Sequence, residues 1–266
     1  MTISQALKLY ADIEIELLLG HALKQSKEFL YMHPRLKLTP QQTSKLNKLA
    51  EKRRAGMPIA YLLGHKYFYG LKFKVTKDTL IPRPETEWLV EKTVDIVNRK
   101  LNSKTRSVLR ILDMGTGSGC IAISLSKLLD GNKVTIEASD ISSKALTVAI
   151  ENSLTHKAPV KFVQSNLFDK ITGRYDIVIA NLPYVPVKEY RKLTQALKHE
   201  PRTAITDDTD DFKLIRTFLA NVKKYLKKDG IVLMEVDPAT PGSLKISSKL
   251  IHKDFQGLKR YLYFKY

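Results

Sequence analysis

Near the start of the chain, apolar residues recur at helical spacing. Ile13, Leu17, Leu18, Ala22 and Leu23 fall on one face, with charged residues between them. Residues 1 to about 72 read as short helices, punctuated by His33-Pro34 and Thr39-Pro40. Thr39 is placed to cap a helix whose first-turn residue is Pro40. The period changes over Tyr67 to Val75 (YFYGLKFKV), where apolar and polar residues alternate as in a strand or hairpin. Two prolines within Leu80 to Glu87 (LIPRPETE) forbid a regular helix and stiffen the connection. Beyond it, short apolar strands alternate with amphipathic helices. Helices are predicted over Thr86–Leu101, Gly119–Leu129, Ser143–Leu154, Asp211–Leu226 and Thr240–Ile251. Strands are predicted over Val108–Met114, Val134–Ser139, Val160–Gln164, Tyr175–Ala180, Ile231–Glu235 and Arg260–Lys265. This order predicts an α/β fold, a mostly parallel sheet covered on both faces, preceded by a small helical domain. The expected domains are 1–75 (helical), 76–87 (hairpin and linker) and 88–266 (α/β).

Composition narrows the class. The 266 residues, 43% of them hydrophobic, suffice for one good-sized domain and a small one. No run of about 18 apolar residues is present, so no membrane-spanning helix is expected. The first stretch mixes charge among its apolar residues and reads as an amphipathic helix, not a secretory signal. The single cysteine, Cys120, permits no disulfide within the chain, and a reducing, cytoplasmic setting fits. Cys120 reads as a small apolar residue at a helix start. The six histidines show no metal-ligand spacing, and no metal is expected. A net charge of +18 attracts polyanions, consistent with work near the ribosome or RNA. A generally basic proteome or plain solubility accounts for that charge as well, since the lysines form no compact arm.

The segment Asp113-Met114-Gly115-Thr116-Gly117-Ser118-Gly119 follows a predicted strand and opens a predicted helix, as a nucleotide-binding turn requires. Its glycines allow a tight turn and close approach to a ligand. A dinucleotide fingerprint would need a glycine where Cys120 stands. The pattern Asp-x-Gly-x-Gly-x-Gly instead resembles the first motif of Rossmann-like methyltransferases, which implies S-adenosyl-L-methionine as the cofactor. Asp140, ending the next strand, stands where an acid accepts from ribose hydroxyls, and as a cap for the helix near Ser142 it has a second use. Asn166 and Leu167 close the third strand beside the expected adenine. Methyltransferases of this class often carry an acid at the position of Asn166, whose side-chain oxygen can still accept from the adenine amine.

The fourth strand runs into Asn181-Leu182-Pro183-Tyr184, and loops at strand ends line the ligand crevice of an open α/β sheet. These residue types suit a flat, weakly nucleophilic nitrogen such as an amide or an exocyclic base amine. Its lone pair is delocalised and must be aimed along the carbon–sulfur axis of the methyl donor. Two acceptors, the Asn181 side-chain oxygen and the Leu182 carbonyl, can hold its two N–H groups. Pro183 fixes the chain direction, and Tyr184 offers a flat face. Orientation of this kind supplies on the order of 7 kcal/mol or more.

Together with Gly56 to Gly64 (GMPIAYLLG), LIPRPETE, His199-Glu200-Pro201 and Asp12 to Leu23 (DIEIELLLGHAL), these motifs resemble, in order and over nearly the whole chain, the release factor glutamine methyltransferase family. The resemblance implies a class I methyltransferase sheet and an N-terminal helical domain that helps recognise a peptide chain release factor. It also implies methylation of the glutamine side chain in a Gly-Gly-Gln loop. Two departures stand out. Leu182 replaces the first proline of the family's Asn-Pro-Pro-Tyr, and Leu258 to Tyr266 lacks the expected Gly-Asp/Asn-x-Arg-like turn before the last strand. Asn-Leu-Pro-Tyr is also the form seen in ribosomal RNA adenine dimethyltransferases, so an RNA amine stays open as an alternative. A non-catalytic cofactor-fold protein that binds a translation factor is the third reading. Arg83 and Glu85 face either the domain interface or the cofactor, and Trp88 reads as a packing residue.

Overall fold

The structure is a computed structural model and describes residues 1–102, 108–254 and 256–266, without the side chain of Asn102. The chain forms two compact units, Met1–Lys66 with Thr194–His199, and Tyr67–Leu193 with Glu200–Tyr266.

The first unit contains α1 (Ile3–Leu9), α2 (Ile15–Leu23), α3 (Lys27–Met32), α4 (Pro40–Arg54) and α5 (Ile59–Leu63). Leu18, Leu19, Leu30 and Leu46 are completely buried at its centre. The expected cap of α4 is present. The Thr39 hydroxyl accepts from the Gln42 N–H (3.2 Å) and the Gln42 side chain accepts from the Thr39 N–H (2.9 Å), with Pro40 opening the helix. Arg53 and Arg54 near its end pair with Glu14 and Asp12 in the connection before α2.

The two units divide within β1 (His65–Phe68), which pairs with β2 (Leu71–Lys74). Tyr69 and Gly70 both take positive φ (48° and 73°), the signature of a two-residue hairpin turn. The hairpin therefore leaves the first unit earlier than the expected boundary at residue 75. Phe68 and Phe73 are buried in the second unit's core beside Leu89, Ile111 and Ile123, and that burial decides where the hairpin belongs.

In chain order the remaining elements are α6 (Glu87–Asn102), β3 (Leu109–Met114), α7 (Cys120–Leu128), β4 (Val134–Asp140), α8 (Ser143–His156), β5 (Lys161–Gln164) and β6 (Tyr175–Asn181). Then come α9 (Val187–Tyr190), α10 (Gln195–Lys198, in the first unit), α11 (Lys213–Asn221), β7 (Leu226–Glu235), α12 (Thr240–Ser243), β8 (Ile251–Lys253) and β9 (Lys259–Lys265). The seven-stranded sheet has the order β5-β4-β3-β6-β7-β9-β8. Its first five strands are parallel, and β9 runs antiparallel to both β7 and β8. This is a class I methyltransferase fold. Strand residues alternate between two cores, one on each face. Ile111, Ile177, Ile179 and Leu233 enter one; Leu112, Val178, Val232 and Met234 enter the other. Both sets are apolar because both faces are covered.

Two expectations about the C-terminal region are corrected. The helix expected over Thr240–Ile251 is one turn, Thr240–Ser243, and the chain turns away where Lys245 takes positive φ (53°). Its last residue instead opens β8, an edge strand too short to show an alternation. A turn precedes the last strand without the Gly-Asp/Asn-x-Arg pattern, since Leu258 follows Gly257, and it is organised by Asp254 instead. Asp254 accepts from the N–H groups of Gln256 and Leu258 and from Arg260 Nε (each 2.8–2.9 Å). The helix expected over Asp211–Leu226 ends at Asn221, continues as a 3₁₀ turn over Val222–Tyr225, and hands Leu226 to β7.

Candidate active site

The strand order reverses between β3 and β6, so the chain diverges there and leaves a crevice at their carboxyl ends. Register brings the ends together: Met114 lies beside Ala180 and Ser139, and Asn181 beside Glu235.

The glycine loop is held by backbone and acid. Gly115 and Thr116 donate to the Ser139 carbonyl (2.8 and 2.9 Å), and Gly117 donates to Asp140 Oδ2 (2.9 Å). Gly115, Gly117 and Gly119 all take positive φ (75°, 56° and 82°), which other residues reach only under strain. The other oxygen of Asp140 accepts from the Ser142 N–H (2.9 Å), and Ser142 itself caps α8. Burial pushes the Asp140 carboxyl up, and these N–H groups oppose the shift. Asp113 is fully buried and accepts from the Thr116 hydroxyl (2.6 Å); burial lifts its carboxyl to about 6. Asn152 of α8, which sequence reasoning missed, is buried and donates to the carbonyls of Ser118 and Lys74 (2.9 and 3.0 Å), tying the loop to β2.

A cleft of about 270 Å³ opens above this frame. Of the residues expected at the site, Gly115, Gly117, Asp140, Asn166, Leu167, Asn181, Leu182 and Pro183 line it. Asp113, Thr116, Ser118, Gly119 and Tyr184 do not; the first four shape the loop from behind. Asp78, Thr79, Ser139, Ser165 and Asp207 also line the cleft and were not singled out from the sequence. The Ser139 hydroxyl is buried with no hydrogen-bond partner, and a Cβ placed on Gly117 would meet nothing within 4 Å. A buried donor without a partner and open room above a glycine loop are what a polar ligand would fill.

At the cleft's edge Asn181 is held from behind. Its Nδ2 donates to Thr86 Oγ1 and Glu235 Oε2 (3.2 Å each). The Thr86 hydroxyl donates to the same Glu235 oxygen (2.7 Å), and the Tyr184 hydroxyl donates to Glu235 Oε1 (3.3 Å). Burial pushes Glu235 up from the usual carboxylate range, opposed by the Thr86 hydrogen bond and the charge of Arg260. Burial raises the Tyr184 hydroxyl strongly, so it stays a donor. Leu182 is buried in the second core and covers Gly115. Glu235 was missed from the sequence, although an acid closing the apolar run IVLM was a visible signal.

LIPRPETE is a bracket on this frame. Glu200 is buried, pairs with Arg83 and accepts from the Ile81 N–H (2.9 Å). The Tyr261 hydroxyl donates to the Glu85 carbonyl (2.7 Å), and Trp88 stacks on Tyr261 at 4.1 Å, the packing role expected of it. Neither Arg83 nor Glu85 lines the cleft.

Comparison with known proteins agrees with this geometry. Residues 3–64 match the family model of the PrmC N-terminal domain, and residues 90–210 that of the methyltransferase small domain. The chain is 37% identical to a release factor glutamine methyltransferase of Coxiella burnetii, over 84% of this chain and 78% of that one. It is 34% identical to the one of Bacillus anthracis, over 83% and 78%. Among solved structures, the hMettl16 catalytic domain in complex with an RNA hairpin shares the fold, with a TM-score of 0.54 at 16% identity over 74% of this chain and 76% of that one. With a matching N-terminal domain, a matching methyltransferase domain and this level of identity over most of its length, the chain belongs to the release factor glutamine methyltransferase family.

Proposed function

We propose that this protein binds S-adenosyl-L-methionine in the cleft and methylates the side-chain nitrogen of the glutamine in the Gly-Gly-Gln motif of a peptide chain release factor. The observation that carries the reading is Asn181, at the end of β6 on the cleft wall, with its amide nitrogen turned away to Thr86 and Glu235. The residues of the cleft suit the cofactor. Asp140 would accept from ribose hydroxyls, Asn166 and Leu167 would border the adenine, and the loop from Gly115 to Gly119 would face the rest. When bound, that group supplies a methyl on a sulfonium; the nitrogen lone pair forms the new N–C bond while the C–S pair stays on sulfur.

The chain's own residues aim the nitrogen. The Asn181 oxygen and the Leu182 carbonyl each accept one N–H of the substrate amide, which directs its lone pair along the line of transfer. Pro183 restricts the chain beyond them. Tyr184, hydrogen-bonded to Glu235 and packed against the second core, supports the loop from outside the cleft. The nitrogen's proton leaves to solvent after transfer. The first unit would serve as the recognition element for the release factor. The setting would be the cytoplasm, beside the ribosome in translation termination, and the charge of +18 favours nearness to RNA. Among the described residues, no helix is long and apolar enough to cross a membrane.

Incubation with radiolabelled cofactor and either a release factor or ribosomal RNA tests the reading. Label on the release factor, lost when its loop glutamine is replaced, is expected. Label on RNA alone would transfer the assignment to an exocyclic base amine, and cofactor binding without turnover would leave only a binding protein.

A further inference from the structure

A carboxamide is nearly symmetric in shape, so packing alone does not decide which end of Asn181 meets the substrate. The wrong end would set an N–H donor against the substrate's N–H donor. The hydrogen bonds behind Asn181 remove this ambiguity. Glu235 faces three donors, the Thr86 and Tyr184 hydroxyls and the Asn181 amide, and accepts from each; its Oε2 takes the Thr86 hydroxyl proton at 2.7 Å. With its one proton given to Glu235, the Thr86 oxygen can only accept from Asn181. Both groups within 3.2 Å of the Asn181 nitrogen are therefore acceptors. A flipped amide would place its oxygen against a carboxylate and a hydroxyl lone pair, in a region where Thr86 and Glu235 are almost completely buried and water cannot relieve the repulsion.

We propose that Glu235 and Thr86 are positioning residues, which hold the Asn181 amide with its nitrogen inward and its oxygen toward the substrate nitrogen. The inference rests on the methyl-transfer reading above and adds two residues from outside the tetrapeptide. Glu235 reaches Asn181 because β6 and β7 are in register at their last residues. Thr86 reaches it from the LIPRPETE bracket.

The test uses Thr86→Val, Thr86→Ser and Glu235→Gln, each near the native shape. Thr86→Val and Glu235→Gln are expected to lower kcat about 100-fold or more, the scale of losing one well-placed polar group. KM for the release factor and Kd for the cofactor should stay within about twofold, because the loss is in orientation. Thr86→Ser should restore kcat. In an Asn181→Ala background the same two changes should add no further loss, since they act through Asn181. Undiminished kcat in Thr86→Val and Glu235→Gln, a loss that persists without Asn181, or a change confined to KM overturns the proposal. The side-chain ¹⁵N–¹H₂ signals of Asn181 give a readout independent of turnover. They should move toward the position of a solvated amide in Thr86→Val and Glu235→Gln; unmoved signals also overturn the proposal. If the wild-type protein labels no release factor, the functional reading fails while these signals still decide the positioning.

Discussion

The guanidinium of Arg83 pairs with the buried carboxylate of Glu200, 117 residues farther along the chain, and the same carboxylate accepts the Ile81 N–H. Two motifs that read separately in the sequence are thus one clasp. Replacing Arg83 by Met leaves Glu200 buried with a single donor, which should cost about 1–3 kcal/mol. Urea unfolding measures that loss. Because Asp78, Thr79 and Leu80 line the cleft just before the clasp, calorimetric titration should show weaker cofactor binding as well. Unchanged stability and affinity would mean that the pair is ornamental.

The three loop glycines should respond differently to alanine. At Gly119 a Cβ would lie 2.8 Å from Ile123 Cδ1 and 3.2 Å from Ala149 Cβ, on a backbone of φ 82°. Strain and overpacking together predict a stability loss of about 2–4 kcal/mol. At Gly117 the space is open, so Gly117→Ala carries only the strain of positive φ, about 1–2 kcal/mol, and should fold. Its methyl group would occupy the room a ligand needs, and cofactor affinity should drop. Equal stability losses at the two positions would contradict this account.

Leu182 occupies the place of the family's first proline and contributes packing in return. Its Cδ2 would stand 3.0 Å from a Cβ on Gly115. Leu182→Ala should destabilise by about 2–3 kcal/mol through lost burial and a cavity. It should also make Gly115→Ala less damaging than in the wild-type background, because the obstructing methyl is gone. A double-mutant cycle in urea reads that coupling, and strict additivity would rule the contact out.

Asp113 sets a pH signature. Burial lifts its carboxyl from 3.8 to about 6, against the Thr116 hydrogen bond. The folded value exceeds the unfolded one, so the folded protein holds the extra proton between them. The stabilising contribution is complete below about pH 4 and is lost as the pH rises through about 6. Relative to Asp113→Asn, the wild-type protein should lose on the order of 2–3 kcal/mol across that window and change little above it. Urea unfolding at a series of pH values measures the difference; a flat difference would show that Asp113 ionises freely in its pocket.

Local chemistry in the chain was enough for much of the frame. The strand–glycine loop–helix order, the loop at Asn181 and the cap at Thr39 depend on neighbours within a few residues, and the acid at Asp140 on its place at the end of the next strand. Short continuous apolar runs marked the central strands because both faces of the sheet are covered. Weak or long-range elements were not legible. A three-residue edge strand at Ile251–Lys253 carries no period, and a hairpin rich in aromatic residues does not announce which core will bury it.

Asn181 shows where the division lies. Its presence at a strand end, and hence at the crevice, followed from the order of residues alone. Which way its amide faces was decided by Thr86, 95 positions away in the chain, and by Glu235, 54 positions away. A hydrogen bond depends on distance and direction in space, and only strand register and the folded bracket bring those two acceptors within 3.2 Å of its nitrogen.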